Sequence, residues 1–186
     1  MITALDKNTA LVLIDLQKGI TAYPVVHPIA GIIANAAKLT DAFHKAGLPV
    51  VIVNVNPSGA KWITARKEPS NAPAIAFKAD FFDIVPELKT QDDDIFVTKS
   101  TWDTFDSTSL DEELQKRGVT GIVIGGVSTS IGVEGTARTA SAKGYNLTFA
   151  SDAMTDMFAD AHEHSFKYIF PRIGEIDTTE NILKFL

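Results

Sequence analysis

The sequence contains no cysteine. That absence excludes disulfides, thiolate metal sites and covalent catalysis through a thiol. Long apolar runs are missing too: none approaches the ~20 residues of a membrane-spanning helix, so no membrane partner is expected. The N-terminal Met1-Ile2-Thr3-Ala4-Leu5-Asp6 has no basic segment ahead of an apolar stretch. No signal peptide is read, and a cytoplasmic protein is expected. Positive charge is in deficit. Lys and Arg number 17 against 23 Asp and Glu, a net charge of −6, which argues against nucleic acid or an anionic membrane surface as partner. What is present is ordinary for a globular protein. With 45% hydrophobic and 22% charged residues, the 186-residue chain can bury a full core as one domain over residues 1–186.

Short β-rich runs alternate with amphipathic stretches. Thr9 to Leu16 reads as a buried strand ending on Asp15, and residues 29–46 have helical spacing that stops at Gly47. Pro49 to Val55 is a second strand, and Ile95-Phe96-Val97-Thr98 a third that leads into Lys99. Ser109-Leu110-Asp111-Glu112 has capping-box spacing and opens a helix closed by Gly118. Gly121 to Gly125 is strand four, followed by a helix from about Gly132 to Lys143 that Gly144 ends. Tyr145 to Ala150 is strand five, ending near Asp152; a helix over 159–170 stops before Pro171. Thr178 caps a short final helix. The proline-bearing stretch from Pro57 to Pro86 reads as a long irregular excursion. Alternation of this kind predicts an α/β protein with a parallel sheet covered on both faces.

Ligands of such sheets bind at the carboxyl ends of the strands. Asp15, Lys99, the Gly126–Ser130 turn and Asp152 all fall there, and that convergence is the physical argument for a site. Asp15 follows Leu11-Val12-Leu13-Ile14, so its carboxylate is partly desolvated and suited to acid–base work; capping a neighbouring loop is the competing reading. Lys99 can hold Asp15 ionised or stabilise charge developing on a substrate, against the plainer reading of a solvated lysine. Trp102 and Phe105 just beyond it suggest an apolar pocket wall, with core packing the alternative for either ring.

Other motifs lead nowhere. Gly126-Val127-Ser128-Thr129-Ser130 lacks the closing glycine of a serine nucleophile elbow and the Lys-Ser/Thr of a phosphate loop. Ser128, Thr129 and Ser130 have no evident base. His162 and His164, two residues apart, diverge by about 200° on a helix and cannot share a metal, so they read as a solvated face. Asp92-Asp93-Asp94 reads as a turn. No metal and no organic cofactor is implied.

The assembled residues resemble the isochorismatase-like hydrolase superfamily. Leu13-Ile14-Asp15-Leu16-Gln17, Lys99 to Phe105, Gly126-Val127-Ser128-Thr129 before Thr136-Ala137-Arg138, Gly144-Tyr145 and Asp152-Ala153 carry the likeness, in order, over nearly the whole chain. The resemblance implies a three-layer Rossmann-like fold, a six-stranded parallel sheet with helices on both faces. It also implies a dimer or tetramer, a small-molecule substrate, and a site of aspartate, lysine and, in most members, cysteine. Asp15 and Lys99 match the first two, and Gly132 stands at the cysteine position. A cis peptide is implied at Val127–Ser128. The nicotinamidase metal pattern is missing, since Asn54-Val55-Asn56-Pro57 occupies its place.

Without a thiol, the amidase route through an acyl-enzyme is closed. Vinyl-ether cleavage needs acid and water rather than a nucleophile. The expected mechanism has protonated Asp15 deliver a proton while Lys99 orients it and holds a substrate carboxylate. Backbone N–H groups around Ser130, Ile131 and Gly132 would bind an oxyanion or carboxylate. Gln17, Trp102, Phe105, Val127, Ser128 and Thr129 complete the expected substrate-binding set. The competing reading is a member that binds a ligand or assembles without turnover.

Overall fold

A computed structural model describes residues 1–58, 60 and 77–186. Six strands form one sheet: β1 (Thr9–Ile14), β2 (Val50–Val55), β3 (Ile95–Lys99), β4 (Gly121–Val127), β5 (Asn146–Thr155) and β6 (Glu175–Asp177). Their order is β3-β2-β1-β4-β5-β6, and every pairing is parallel. The strand order reverses between β1 and β4, so the crevice between their carboxyl ends is where such a sheet takes a ligand.

Alternation along β1 builds the two faces. Ala10, Val12 and Ile14 pack on one side with Val51, Val97, Ile124, Phe149 and Phe170. Leu11 and Leu13 pack on the other with Ile52, Val123, Leu39 and Phe43. The described helices are α1 (Lys18–Thr21), α2 (Ile29–Ala46), α3 (Leu110–Lys116), α4 (Glu134–Ala142), α5 (Ala159–His164), α6 (Phe170–Ile173) and α7 (Thr179–Ile182). Helix α2 buries Ile32, Ala36, Leu39, Thr40 and Phe43, a single stripe, and ends at Gly47 in the left-handed region as its spacing predicts. Each fully buried aliphatic side chain of this kind contributes about 1.5–3 kcal/mol relative to exposure, so the three-layer arrangement rests mainly on these two apolar faces.

The structure revises several expected boundaries. Ser109 makes no side-chain cap at α3; the Thr108 hydroxyl accepts from Leu110 N–H instead. Pro171 does not stop the helix before it. A π-helical turn over Ser165–Ile169 separates α5 from α6, and the proline sits in the first turn of α6, where its missing N–H is not needed. Strand β5 runs to Thr155, past the expected end, because its register against β4 shifts between Ile124 and Gly126. Residues 59 and 61–76 of the expected 57–86 excursion lie outside the described residues. Among the described residues no helix is long and apolar enough to cross a membrane.

Candidate active site

Asp15 and Lys99 arrive from separate strands. Asp15 directly follows β1, its backbone turned to φ +52° and its N–H donating to Val53 O at 3.0 Å. Lys99 is the last residue of β3, on the inward phase of a strand whose burial alternates. Its ammonium donates to Asp15 Oδ2 at 2.7 Å and to Thr101 O at 3.2 Å. Both side chains are nearly sealed from solvent, at 2% exposure for Lys99 and 7% for Asp15. Three N–H donors belong to an ammonium, so one is left over from its described partners.

The pair is unevenly satisfied. Asp15 Oδ1 is buried and has no hydrogen-bond partner among the described residues. Burial pushes the Asp15 carboxyl up to about 6, and the attraction of Lys99 and its hydrogen bond pull the other way without cancelling it. A carboxyl in this range exchanges its proton close to neutrality, which is what acid–base work requires.

Gly132 faces the same pair. A Cβ added there would lie 3.4 Å from Asp15 Oδ2 and 3.6 Å from Lys99 Nζ, and would press on Ile14 Cγ2 at 2.9 Å. The absence of a side chain therefore leaves a space bounded by the two charged groups.

The turn that delivers Gly132 starts at Gly126. Its φ of +122° and a Cβ position 2.1 Å from Ile14 O leave no room for any other residue. The Val127–Ser128 peptide is cis, as the resemblance implies. A π-helical turn over Thr129–Val133 follows and runs into α4. Within it the expected oxyanion donors are partly spent. Ser130 N–H and Oγ both donate to Asp156 Oδ2, at 2.7 and 2.8 Å, and Ile131 N–H reaches Ser128 O at 3.2 Å.

Above the pair lies a cavity of about 220 Å³. Of the expected residues, Asp15, Lys99, Trp102, Val127, Ser128, Ile131 and Gly132 line it. Ile20, Tyr23, Val55, Pro57, Thr101 and Met157 line it as well and were not expected. Nothing in the sequence singled these residues out; in the structure Met157 stands exposed just past β5, an apolar side chain at the rim of the cavity. The lining is largely apolar, with Lys99 its one cation among the described residues.

Four expected binding residues lie elsewhere. Gln17 is fully buried and bridges backbone: Oε1 accepts from Val55 N–H, and Nε2 donates to Val55 O and Phe81 O. It ties the loop after β1 to β2, leaving no polar atom for a ligand. Phe105 packs in the core and stacks on Tyr145. Thr129 is fully buried, its hydroxyl 2.9 Å from His162 Nδ1. Ser130 is committed to Asp156. Asp152 is no part of the crevice either: it accepts from Thr179 N–H and Oγ1 at the start of α7, and Asp156 holds the strand-end position expected of it.

Thr129 and Ser130 thus have the proton-accepting partners that the sequence did not reveal, but neither residue lines the cavity. His162 is not the solvated residue expected. Burial lowers its pKa, with His27 4.8 Å away ring to ring adding to the effect. In the triple-aspartate turn, Asp94 is buried against His44 Nε2 at 2.7 Å. Among the described residues no three His, Asp or Glu side chains gather as a metal site.

The chain is thus an α/β protein whose parallel sheet carries a buried carboxylate–ammonium pair at the carboxyl ends of its strands. The chain belongs to the isochorismatase family, whose domain model matches residues 9–181, and is a hydrolase by class. It is 41% identical over 180 residues to the uncharacterized isochorismatase family protein YwoC of Bacillus subtilis (strain 168), covering 96% of this chain and 94% of that one. It is 39% identical over 183 residues to the uncharacterized family protein YecD of Escherichia coli O157:H7, covering 97% of each. The solved structure of an isochorismatase family protein from Burkholderia thailandensis superposes with a TM-score of 0.88 at 35% identity, over 100% of this chain and 99% of that one.

Proposed function

We propose that the protein hydrolyses a small metabolite by acid catalysis from Asp15 with Lys99, forming no covalent intermediate with the chain. Gly132 takes the place that the family's thiol members give to cysteine. The observation that carries the reading is the buried Asp15–Lys99 pair, with one carboxylate oxygen unpartnered among the described residues, at the base of a cavity in a chain without cysteine. With the Asp15 carboxyl at about 6, roughly a tenth of the molecules carry the proton at pH 7.

A carboxylate-bearing vinyl ether suits this chemistry. Asp15 gives its proton to the terminal enol carbon, forming a C–H bond at the expense of the double bond. Positive charge develops on the ether-bearing carbon and is shared with its oxygen. Water adds there and loses a proton, and the hemiketal expels the alcohol to leave a ketone. Lys99, through its remaining N–H, holds the substrate carboxylate, and Asp15 recovers a proton from the added water. The gap at Gly132 admits substrate or water beside the pair.

The test is pyruvate release from isochorismate by the native chain and by Asp15→Asn. Release that disappears in the variant is expected. Equal release by both would end the role given to Asp15, and no release by the native chain would remove vinyl-ether cleavage of this substrate.

A further inference from the structure

Asp156 is the most deeply buried carboxylate among the described residues, and the mechanism does not use it. It is fully buried, directly follows β5, and lies in no ion pair among the described residues. An uncompensated buried carboxylate is costly unless hydrogen bonds satisfy it. Here Oδ2 accepts from Ser130 N–H and Oγ, Oδ1 accepts from Phe158 N–H at 3.2 Å, and the residue's own carbonyl accepts from Val26 N–H at 2.8 Å. Backbone alone would hold a turn more cheaply. What the carboxylate adds is a rigid two-point grip on Ser130, two residues ahead of Gly132.

The next residue back is gripped as well. Thr129 Oγ1 meets His162 Nδ1, and the neighbouring His27 reaches Thr155 Oγ1 at 3.0 Å, so the end of β5, the start of α5 and the turn are tied together. Ile131 and Gly132, next in the same turn, line the cavity. We infer that Asp156 is a positioning residue for the reaction: through Ser130 it sets where Gly132 stands against Asp15 and Lys99. The inference rests on the site proposed above, though not on the identity of the substrate.

The missing cysteines make a direct test possible. Gly132→Cys carries the chain's single thiol beside both charged groups, its Cβ 3.4 Å from Asp15 Oδ2 and 3.6 Å from Lys99 Nζ, where the ammonium favours thiolate and the carboxylate, once ionised, opposes it, so the thiol's titration reports its place against the pair. The pH dependence of its alkylation by iodoacetamide then reports the position of the turn without any substrate. Adding Asp156→Ala is expected to slow alkylation at neutral pH about ten-fold as the thiol drifts from the ammonium and its titration returns toward that of a free thiol. Asp156→Asn, which keeps an acceptor for Ser130, should restore part of the rate. Identical profiles with and without Asp156→Ala would overturn the inference, leaving Asp156 with a purely structural role. If Asp156→Ala fails to fold, Ser130→Ala in the Gly132→Cys chain replaces it, with a smaller shift in the same direction expected and an unmoved profile overturning the proposal. In the native background, Asp156→Asn should lower kcat for isochorismate with KM little changed. Should isochorismate not be a substrate, the thiol measurement still decides the role of Asp156.

Discussion

Strands β1 and β5 of one sheet each lead straight into a buried aspartate, and the two aspartates are treated oppositely. Among the described residues, Asp15, after β1, receives one ammonium on Oδ2 and nothing on Oδ1. Asp156, after β5, receives three N–H or O–H donors and no cation among the same residues. The first is left short of partners at the base of a cavity; the second is saturated behind the turn that forms part of the cavity wall. Burial alone therefore does not make a reactive carboxyl. A carboxylate with both oxygens held by fixed donors suits a structural anchor, and one with an idle oxygen and a single charged neighbour suits proton exchange.

The sharpest way to break the contrast is Asp15→Asn. It keeps shape and an acceptor for Lys99 but removes the proton, so turnover should fall about 10²–10⁴-fold with no loss of stability at neutral pH, where the native carboxylate bears the cost of burial. Lys99→Met comes next. It strands Asp15 without its counter-charge and should cost roughly 3–5 kcal/mol in denaturant titrations above the Asp15 titration, and less below it, where the carboxyl is already neutral. Because Lys99 pulls the Asp15 value down, any residual activity should titrate above about 6.

Asp15 also marks the pH dependence of stability. Its folded value is raised from 3.8 to about 6, so the folded form holds the proton more tightly than the unfolded chain. The associated stability is complete below 3.8 and is lost as pH rises through about 6. Relative to Asp15→Asn, the native chain should therefore lose about 3 kcal/mol of unfolding free energy across that window. At the saturated aspartate the effects are smaller. Asp156→Ala orphans the half-buried Ser130 N–H and should cost about 1–3 kcal/mol, whereas Ser130→Ala removes one bond of the two and should cost about 1 kcal/mol. Calorimetry ranks the two.

The sheet was legible because its strands are short apolar runs punctuated by Gly and Asp, and because Asp15 and Lys99 mark strand ends in sequence. Gly132 was legible by resemblance. What pattern could not carry were partners distant in sequence. Nothing near Gln17 reveals that Val55 and Phe81 consume its amide, and nothing near Ser130 reveals Asp156. Strand five was cut short because Ser151 and Asp152 look like an ending. The bulge against β4 lets the strand pass through them to Thr155, which moved the functional strand end by four residues. Phe105 was ambiguous for a simpler reason: an aromatic in a loop fits a pocket or a core equally well until the chain is folded.

Lys99 closes β3, the outermost strand on its side of the described sheet, whereas Asp15 follows β1 near the middle. The ammonium is held in place by the ladder between Val55 and Lys99 and by the Asn56 N–H on Lys99 O at 2.8 Å. Marginal strands open locally at lower free energy than the core. Peeling of this one margin would carry off half of the charged pair while the two apolar faces stay closed. Catalysis should therefore fail at a milder denaturant concentration than the fold, and amide hydrogens of β3 should exchange in step with that failure.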